Sequence, residues 1–493
     1  MSMTVVETAN GKVKGKQVEG VYAWKGIPYA KPPLGPLRFQ PPEQPESWEG
    51  IRDATHFGPA SPQPSREISD FLGNEAKNTS EDCLYLNVWS PGADDKRRPV
   101  MVWIHGGAFI SGSGSSDFYD GTSFATEGDV VVVTINYRLG IMGFLHLGEI
   151  GGEEYATSGN CGILDQVAAL RWVQENIEAF GGDPNRVTVF GESAGAMSIG
   201  VLLALPSAKG LFHQAILQSG AAKNALSSSK ATKVAHHLLD SLDVGADELS
   251  KLVDMPIEKL VEASAALPSM SLQPVIDGVS LPEHPEKALA AGAAKGVPIL
   301  IGTTKDEFRL FTFFDPIWKN GDPKDVANMF GRTFGSRWPK ISDQFLDKGE
   351  KLTQTLYDQL MTLRVFFYPA IKLAEMQLEQ DAPVWMYRFD WQSPVSNGRL
   401  KACHALEIPF VWNTIDSAKS LIGDSSDRQK VSEQMHQAWI AFALSGNPNT
   451  QAIPSWPDYD LENRSTMIFN AESRIEHDPT SEDRVNWEKV VVN

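Results

Sequence analysis

The sequence predicts an α/β protein built on a large, mostly parallel sheet flanked by helices. Three observations point there. The first is a series of uninterrupted apolar runs, RPVMVWIHGG, DVVVVTINYRLG, RVTVFGESAG, FHQAILQSG, VPILIGTTKDE and VWMYRFDW. Strands buried on both faces read as continuous runs rather than alternating ones. The second is the helical patterning between the runs, such as Val167 to Phe180, which stops at Gly181-Gly182. Strands alternating with helices give a parallel sheet with helices on its faces. The third is that no repeat, low-complexity tract or composition break interrupts the pattern, so residues 1–493 read as a single domain.

The remaining elements follow in order. Asn10-Gly11 between alternating segments predicts an N-terminal β-hairpin. The proline-rich stretch GIPYAKPPLGPLRFQPPEQP is irregular. Residues 308–380 are rich in Phe, Trp and Met and lack a strand pattern. They are expected to be helical insertions over the active end of the sheet.

Composition narrows the function classes. The chain is 42% hydrophobic and 22% charged, with a net charge of -18. Such an acidic surface argues against binding nucleic acid or an anionic membrane. No apolar stretch reaches the length of a membrane span, and the opening MSMTVVETANGKVKG does not read as a secretory leader. Cys83, Cys161 and Cys403 allow at most one disulfide and have no metal-type spacing. A reduced cytoplasmic protein is expected.

The chemistry starts at VTVFGESAGA. A Gly-x-Ser-x-Gly alone is a weak motif. Here an apolar run precedes Ser193 and a helical run follows it, which is the strand–turn–helix of a nucleophile elbow. A serine hydroxyl needs a base, a group to orient that base, and donors for the oxyanion. In this arrangement the chain order is serine, acid, histidine. His213 comes too early to follow an acid. His236, His237 and His284 lie in polar or helical segments, His436 in a helical pattern and His477 in a polar tail. His404, on a loop after VWMYRFDW, is the expected base. The acid is expected after VPILIGTTKDE, where Asp306 and Glu307 are both possible. Ala194, the residue after the nucleophile, supplies one oxyanion N–H. The loop IHGGAFISGSG, with Gly106, Gly107 and Ala108, supplies others. Its spacing does not fit a phosphate-binding Walker loop.

These residues, together with WKGIPYAKPP, PLRF, SEDCLYLNVW, NYRLG, ILDQVAALRWVQENIEAFGGDPNR, GTTKDE and HALEIPF, make the chain resemble the type B carboxylesterases of the α/β-hydrolase fold. That family includes the cholinesterases, and the likeness is strongest to its bacterial carboxylesterases. It extends over nearly the whole chain. The resemblance implies Ser193 as nucleophile, His404 as base and Glu307, rather than Asp306, as acid. It implies an oxyanion hole of Gly107, Ala108 and Ala194, with Ser219 and Gly106 supporting the site. It also implies buried ion pairs Arg38–Glu81 and Arg138–Asp165.

Two departures from the secreted relatives matter. Their disulfide partner for Cys83 is replaced here by Ser61 in ASPQ. Residues 61–83 also lack the tryptophan that holds quaternary ammonium in the cholinesterases. Phe308 stands where many relatives have glycine. The expected function is hydrolysis of short- to medium-chain esters, with no cofactor, no metal and no nucleic-acid or membrane partner, by a monomer. Phe109, Met270, Leu272, Phe311 and Phe314 are the expected lining of the substrate pocket, and Phe313, Phe366 and Phe367 extend an apolar wall. A lipase, or a non-catalytic adhesion protein of the same fold, are the competing readings. The intact triad disfavours the second.

Overall fold

Alternation near the N-terminus and continuous apolar runs further on divide one sheet into two kinds of strand. The antiparallel part begins with β1 (Met3–Thr8), β2 (Gly11–Val18) and β3 (Val21–Pro28), joined at the Ala9-Asn10 turn as the hairpin pattern predicts. Then come β4 (Ile51–Asp53), β5 (Tyr85–Ser90), β6 (Arg98–Ile104), β7 (Val131–Ile135), β8 (Gly182–Glu192) and β9 (Gln214–Gln218). A short pair, β10 (Leu226–Ser227) and β11 (Val275–Ile276), stands apart. The chain returns to the main sheet with β12 (Ile299–Thr304), β13 (Val384–Phe389), β14 (Ser465–Phe469) and β15 (Arg474–His477). The computed structural model describes residues 3–65, 67–72, 76, 78–347 and 349–491. The end residues of the expected domain, 1–2 and 492–493, lie outside this set.

The 13-stranded sheet runs β1-β2-β3-β5-β7-β6-β8-β9-β12-β13-β14-β15, with β4 paired to β2. From β7 to β14 every pairing is parallel. The chain steps from β6 out to β7 on one side, then crosses to β8 on the other. That reversal leaves a crevice at the carboxyl ends of β6 and β8, where open α/β sheets bind their ligands.

Alternate residues of β6 feed two cores. Val100, Val102 and Ile104 join one, and Met101 and Trp103 the other. Helices Cys161–Asn176, Ala194–Ala204 and Tyr368–Leu378 contribute to the first core, and Arg428–Ser445 to the second. The helix expected from Val167 begins at Cys161 and tightens into a 3-10 turn, Ile177–Phe180, before the glycines. Residues 308–380 are helical as expected, in segments from Arg309–Phe314 to Tyr368–Leu378. His477 does not lie in a loose tail. It pairs with Ser465 across β14 and β15.

Arg138 and Asp165 form a fully buried pair, with Nε–Oδ2 at 2.8 Å and Nη2–Oδ1 at 2.7 Å. Arg38 grips Glu81 with two bonds, at 2.6 and 2.5 Å. Charges in these positions avoid a large desolvation penalty only because both partners are present. The three cysteines are buried and free. No helix among the described residues is long and apolar enough to cross a membrane.

Candidate active site

Ser193 sits at the sharp turn between β8 and the helix Ala194–Ala204, with φ 55° and ψ −123°. Such a conformation costs a non-glycine residue about 1–3 kcal/mol. Two bonds hold it. Ser193 N–H donates to Gln218 O and Met197 N–H to Ser193 O, each at 2.8 Å. A Cβ on Gly195 would lie 1.9 Å from Ile104 O, so β6 and the helix approach this closely only because residue 195 is glycine.

The adjoining strand ends deliver the other groups. After β6, Gly107 (φ 114°), Ala108 (φ 55°) and Phe109 (φ 63°) turn the chain back over the crevice. The N–H groups of Gly107, Ala108 and Ala194 have no acceptor among the described residues. Unpaired donors at a sheet's active end can hold an oxyanion. Gly106 leaves room for a neighbour, since a Cβ there would lie 2.8 Å from Glu192 Oε2.

After β12 comes Glu307, and after β13 comes His404. Their loops are tied together: Asp306 N–H donates to Ala402 O at 2.9 Å, and His404 N–H to Glu307 O at 3.2 Å. Glu307 Oε2 is 2.5 Å from His404 Nδ1. Its Oε1 accepts from Ser219 Oγ at 2.5 Å, after β9, and from Thr304 N–H at 2.8 Å. Asp306 points the other way, 3.5 Å from Lys401 Nζ. The two carboxylates that the sequence left open are thus separated by one residue and by direction.

The far edge of the imidazole holds a contact that the sequence reading missed. His404 Nε2 lies 3.0 Å from Glu192 Oε1, and no Ser193–His404 hydrogen bond forms among the described residues. Glu192 precedes the nucleophile on β8, so its carboxylate enters the same crevice. A third buried carboxylate, Glu407, accepts from Gln218 Nε2 at 3.1 Å, and Gln218 Oε1 accepts in turn from Trp439 Nε1 at 3.1 Å. Acids placed one residue before the serine and three after the histidine were the available signs in the sequence.

Burial pushes Glu192 upward, opposed by His404 and helped by Glu407 and Glu307. It also pushes Glu407 upward, with Glu307 adding. For His404 burial alone would lower the pKa, but Glu192, Glu307 and Glu407 outweigh it and raise it. Glu192 and His404 therefore titrate as a linked pair, and the surrounding carboxylates favour the protonated imidazole. By contrast, burial drives His105 down to about 4, so that histidine is neutral.

The expected pocket residues divide. Phe311 packs on the His404 ring at 5.3 Å between centroids, and Phe366 at 4.8 Å. Phe366 arrives through a π-turn, Leu363–Phe367, inside a long helix, a distortion frequent at functional sites. Phe109 is buried edge-on against Phe144, and Leu272 is buried in the core. Met270 is half-buried with φ 62°. Phe314 meets Phe71 and Phe313, away from the His404 ring.

Comparisons with known proteins identify the family of the whole chain. Residues 2–487 match the Carboxylesterase family. The chain is 46% identical to para-nitrobenzyl esterase of Bacillus subtilis, covering 98% of each chain. It is 35% identical to phenmedipham hydrolase of Pseudarthrobacter oxydans, covering 95% of each. The crystal structure of a Geobacillus stearothermophilus carboxylesterase superposes with a TM-score of 0.89 at 47% identity, over 98% of this chain and 100% of that one. A solved structure of PNB esterase gives 0.89 at 44%, over 98% and 99%. These neighbours have the α/β-hydrolase fold, and so does this chain. By sequence and by architecture the chain belongs to the carboxylesterase family and is a carboxylic ester hydrolase.

Proposed function

We propose that this enzyme hydrolyses short- to medium-chain esters through an acyl-enzyme on Ser193, with His404 as base and Glu307 as its orienting acid. The observation that carries the reading is the Glu307–His404 bond at 2.5 Å beside a strained Ser193. The attacking form has His404 neutral, Nε2 having released any proton to solvent water. Nε2 then takes the Ser193 Oγ proton as Oγ adds to the ester carbonyl. The N–H groups of Gly107, Ala108 and Ala194 receive the oxyanion. His404 returns the proton to the leaving alcohol, and water repeats the sequence on the acyl-enzyme while Glu307 stabilises the imidazolium.

The alcohol part is proposed to be bulky, aromatic or apolar, and uncharged. Phe311 and Phe366 flank the base, and the relative named for para-nitrobenzyl esters supports an aromatic alcohol. Met270 adapts to varied acyl shapes. Ser193→Ala should abolish turnover by several orders of magnitude with the fold intact, and a serine-directed organophosphate should label Ser193 alone. Full activity in Ser193→Ala would end the proposal. Butyryl and hexanoyl esters should outcompete acetylcholine; a higher kcat/KM for acetylcholine would refute the pocket assignment.

A further inference from the structure

Behind Glu307, on the side away from Ser193, the chain buries an ion pair that the reaction does not use. Asp358 Oδ2 lies 2.9 Å from Arg309 Nη2, both side chains being less than a tenth exposed. Asp358 Oδ1 accepts from Thr312 Oγ1 at 2.6 Å. Arg309 and Thr312 belong to the helix Arg309–Phe314, which starts two residues after Glu307 and carries Phe311 onto the His404 ring. Asp358 belongs to the helix Gln354–Thr362. A third tie between the two segments runs from Phe308 N–H to Thr362 Oγ1 at 3.1 Å.

We propose that Asp358 is a positioning residue for ester hydrolysis: by gripping Arg309 and Thr312 it holds the helix that sets Glu307 against His404 Nδ1 and Phe311 against the ring. The inference rests on the Ser193–His404–Glu307 reading. The Glu307 carboxylate is held by Thr304 N–H, Ser219 Oγ and His404 Nδ1, and its carbonyl accepts from His404 N–H. A rotation of the helix that follows strains this set of bonds together. Misplacement of about 1 Å at such a group costs on the order of a hundredfold in rate.

Asp358 faces a cavity of about 240 Å³, also lined by Thr304, Asp306, Lys401 and Asp483. Burial pushes its carboxyl up to about 6, against the pull of the Thr312 hydroxyl, Arg309 and Lys401; Asp306 adds to the rise. An acid raised in the folded state contributes stability at low pH that is lost as pH rises through about 6. Keeping Asp358 ionised at neutral pH thus lowers stability, as groups retained for function often do. The nearby cations other than Arg309 have other partners: Lys401 pairs with Asp306, and Lys305 and Arg388 pair with Asp390. Asp483 accepts from Gln359 at 2.8 Å.

The test compares wild type with Asp358→Asn, which removes the charge, and Asp358→Glu, which restores it. Functional sites are counted by endpoint reaction with an organophosphate, and kcat and KM for para-nitrophenyl acetate are measured per titrated site across pH. The expected result for Asp358→Asn is a kcat about tenfold lower with KM within about twofold, the pattern of a lost transition-state interaction. In wild type the acid limb of kcat should be steeper than one proton below about pH 6, and single-proton in Asp358→Asn. Asp358→Glu should recover much of the kcat. If Asp358→Asn folds poorly, Asp358→Asn/Arg309→Gln removes the stranded charge and takes the same readouts. An unchanged kcat per site and an unchanged pH profile, with only the melting temperature lowered, would overturn the proposal. Ser193→Ala, titrated alongside, separates that failure from failure of the nucleophile assignment, in which Ser193→Ala would still titrate a site.

Discussion

Glu192→Gln changes one atom and removes the anion that faces His404 Nε2 at 3.0 Å. With an effective dielectric of about 20, two unit charges at that distance interact by about 5.5 kcal/mol. That corresponds to about four pKa units and is the ceiling. The glutamine keeps a dipole at the same place, and Glu307 and Glu407 still hold His404 upward. The expected fall in the base's pKa is therefore about one to two units. The sign is fixed by the chemistry. His404 accepts a proton only when neutral, so a raised pKa places the acid limb of the rate at higher pH, and lowering it moves the limb down. The assay is kcat/KM for para-nitrophenyl butyrate between about pH 4.5 and 9.5, which reports the free enzyme. In wild type the rate should rise through the His404 titration, raised to about 9, and still be climbing at the alkaline end of this range. In Glu192→Gln the rise should come earlier. A limb that stays within about 0.3 units of wild type would show that Glu192 carries no charge beside the base, and its linkage to His404 would fall.

Further substitutions test separate parts of the site. Glu307→Gln should lower kcat by about three to four orders of magnitude, because the amide favours the wrong imidazole tautomer. Asp306→Asn, which loses the charge facing Lys401 and weakens a 3.4 Å bond from Ala402 N–H, should stay within a few-fold; the opposite ranking in kcat/KM would reverse the acid assignment. Ser219→Ala removes a buried bond to Glu307, of a kind worth about 1.5–3 kcal/mol. It should reduce kcat about tenfold and lower the melting temperature, and an unchanged kcat would mean that Thr304 N–H suffices to orient Glu307. Met270→Phe should shift preference toward acetyl esters in a chain-length series, and an identical series would remove Met270 from the acyl pocket.

Much of this protein is readable along the chain because its signals are local. Each buried parallel strand is a continuous apolar run, so β6, β7, β8, β9, β12 and β13 are visible without any partner. The elbow is local too, since the strain at Ser193 is bearable only with small residues on either side. Chain order then selects His404 by elimination. Other features have no local cause. Asp306 and Glu307 are adjacent carboxylates of similar chemistry, and family likeness chose between them before the structure showed their opposite directions. That choice depends on where β13 places Ala402 and His404 beside β12, nearly a hundred residues away in sequence. The contact of Glu192 with Nε2, the arrival of Phe366 through a π-turn, and the grip of Asp358 on Arg309 likewise join segments that meet only after folding. Burial decides their chemistry as well. Glu192, Glu407 and Asp358 are ordinary acids in the sequence, and the loss of water around each of them, with neighbouring carboxylates adding, raises its pKa.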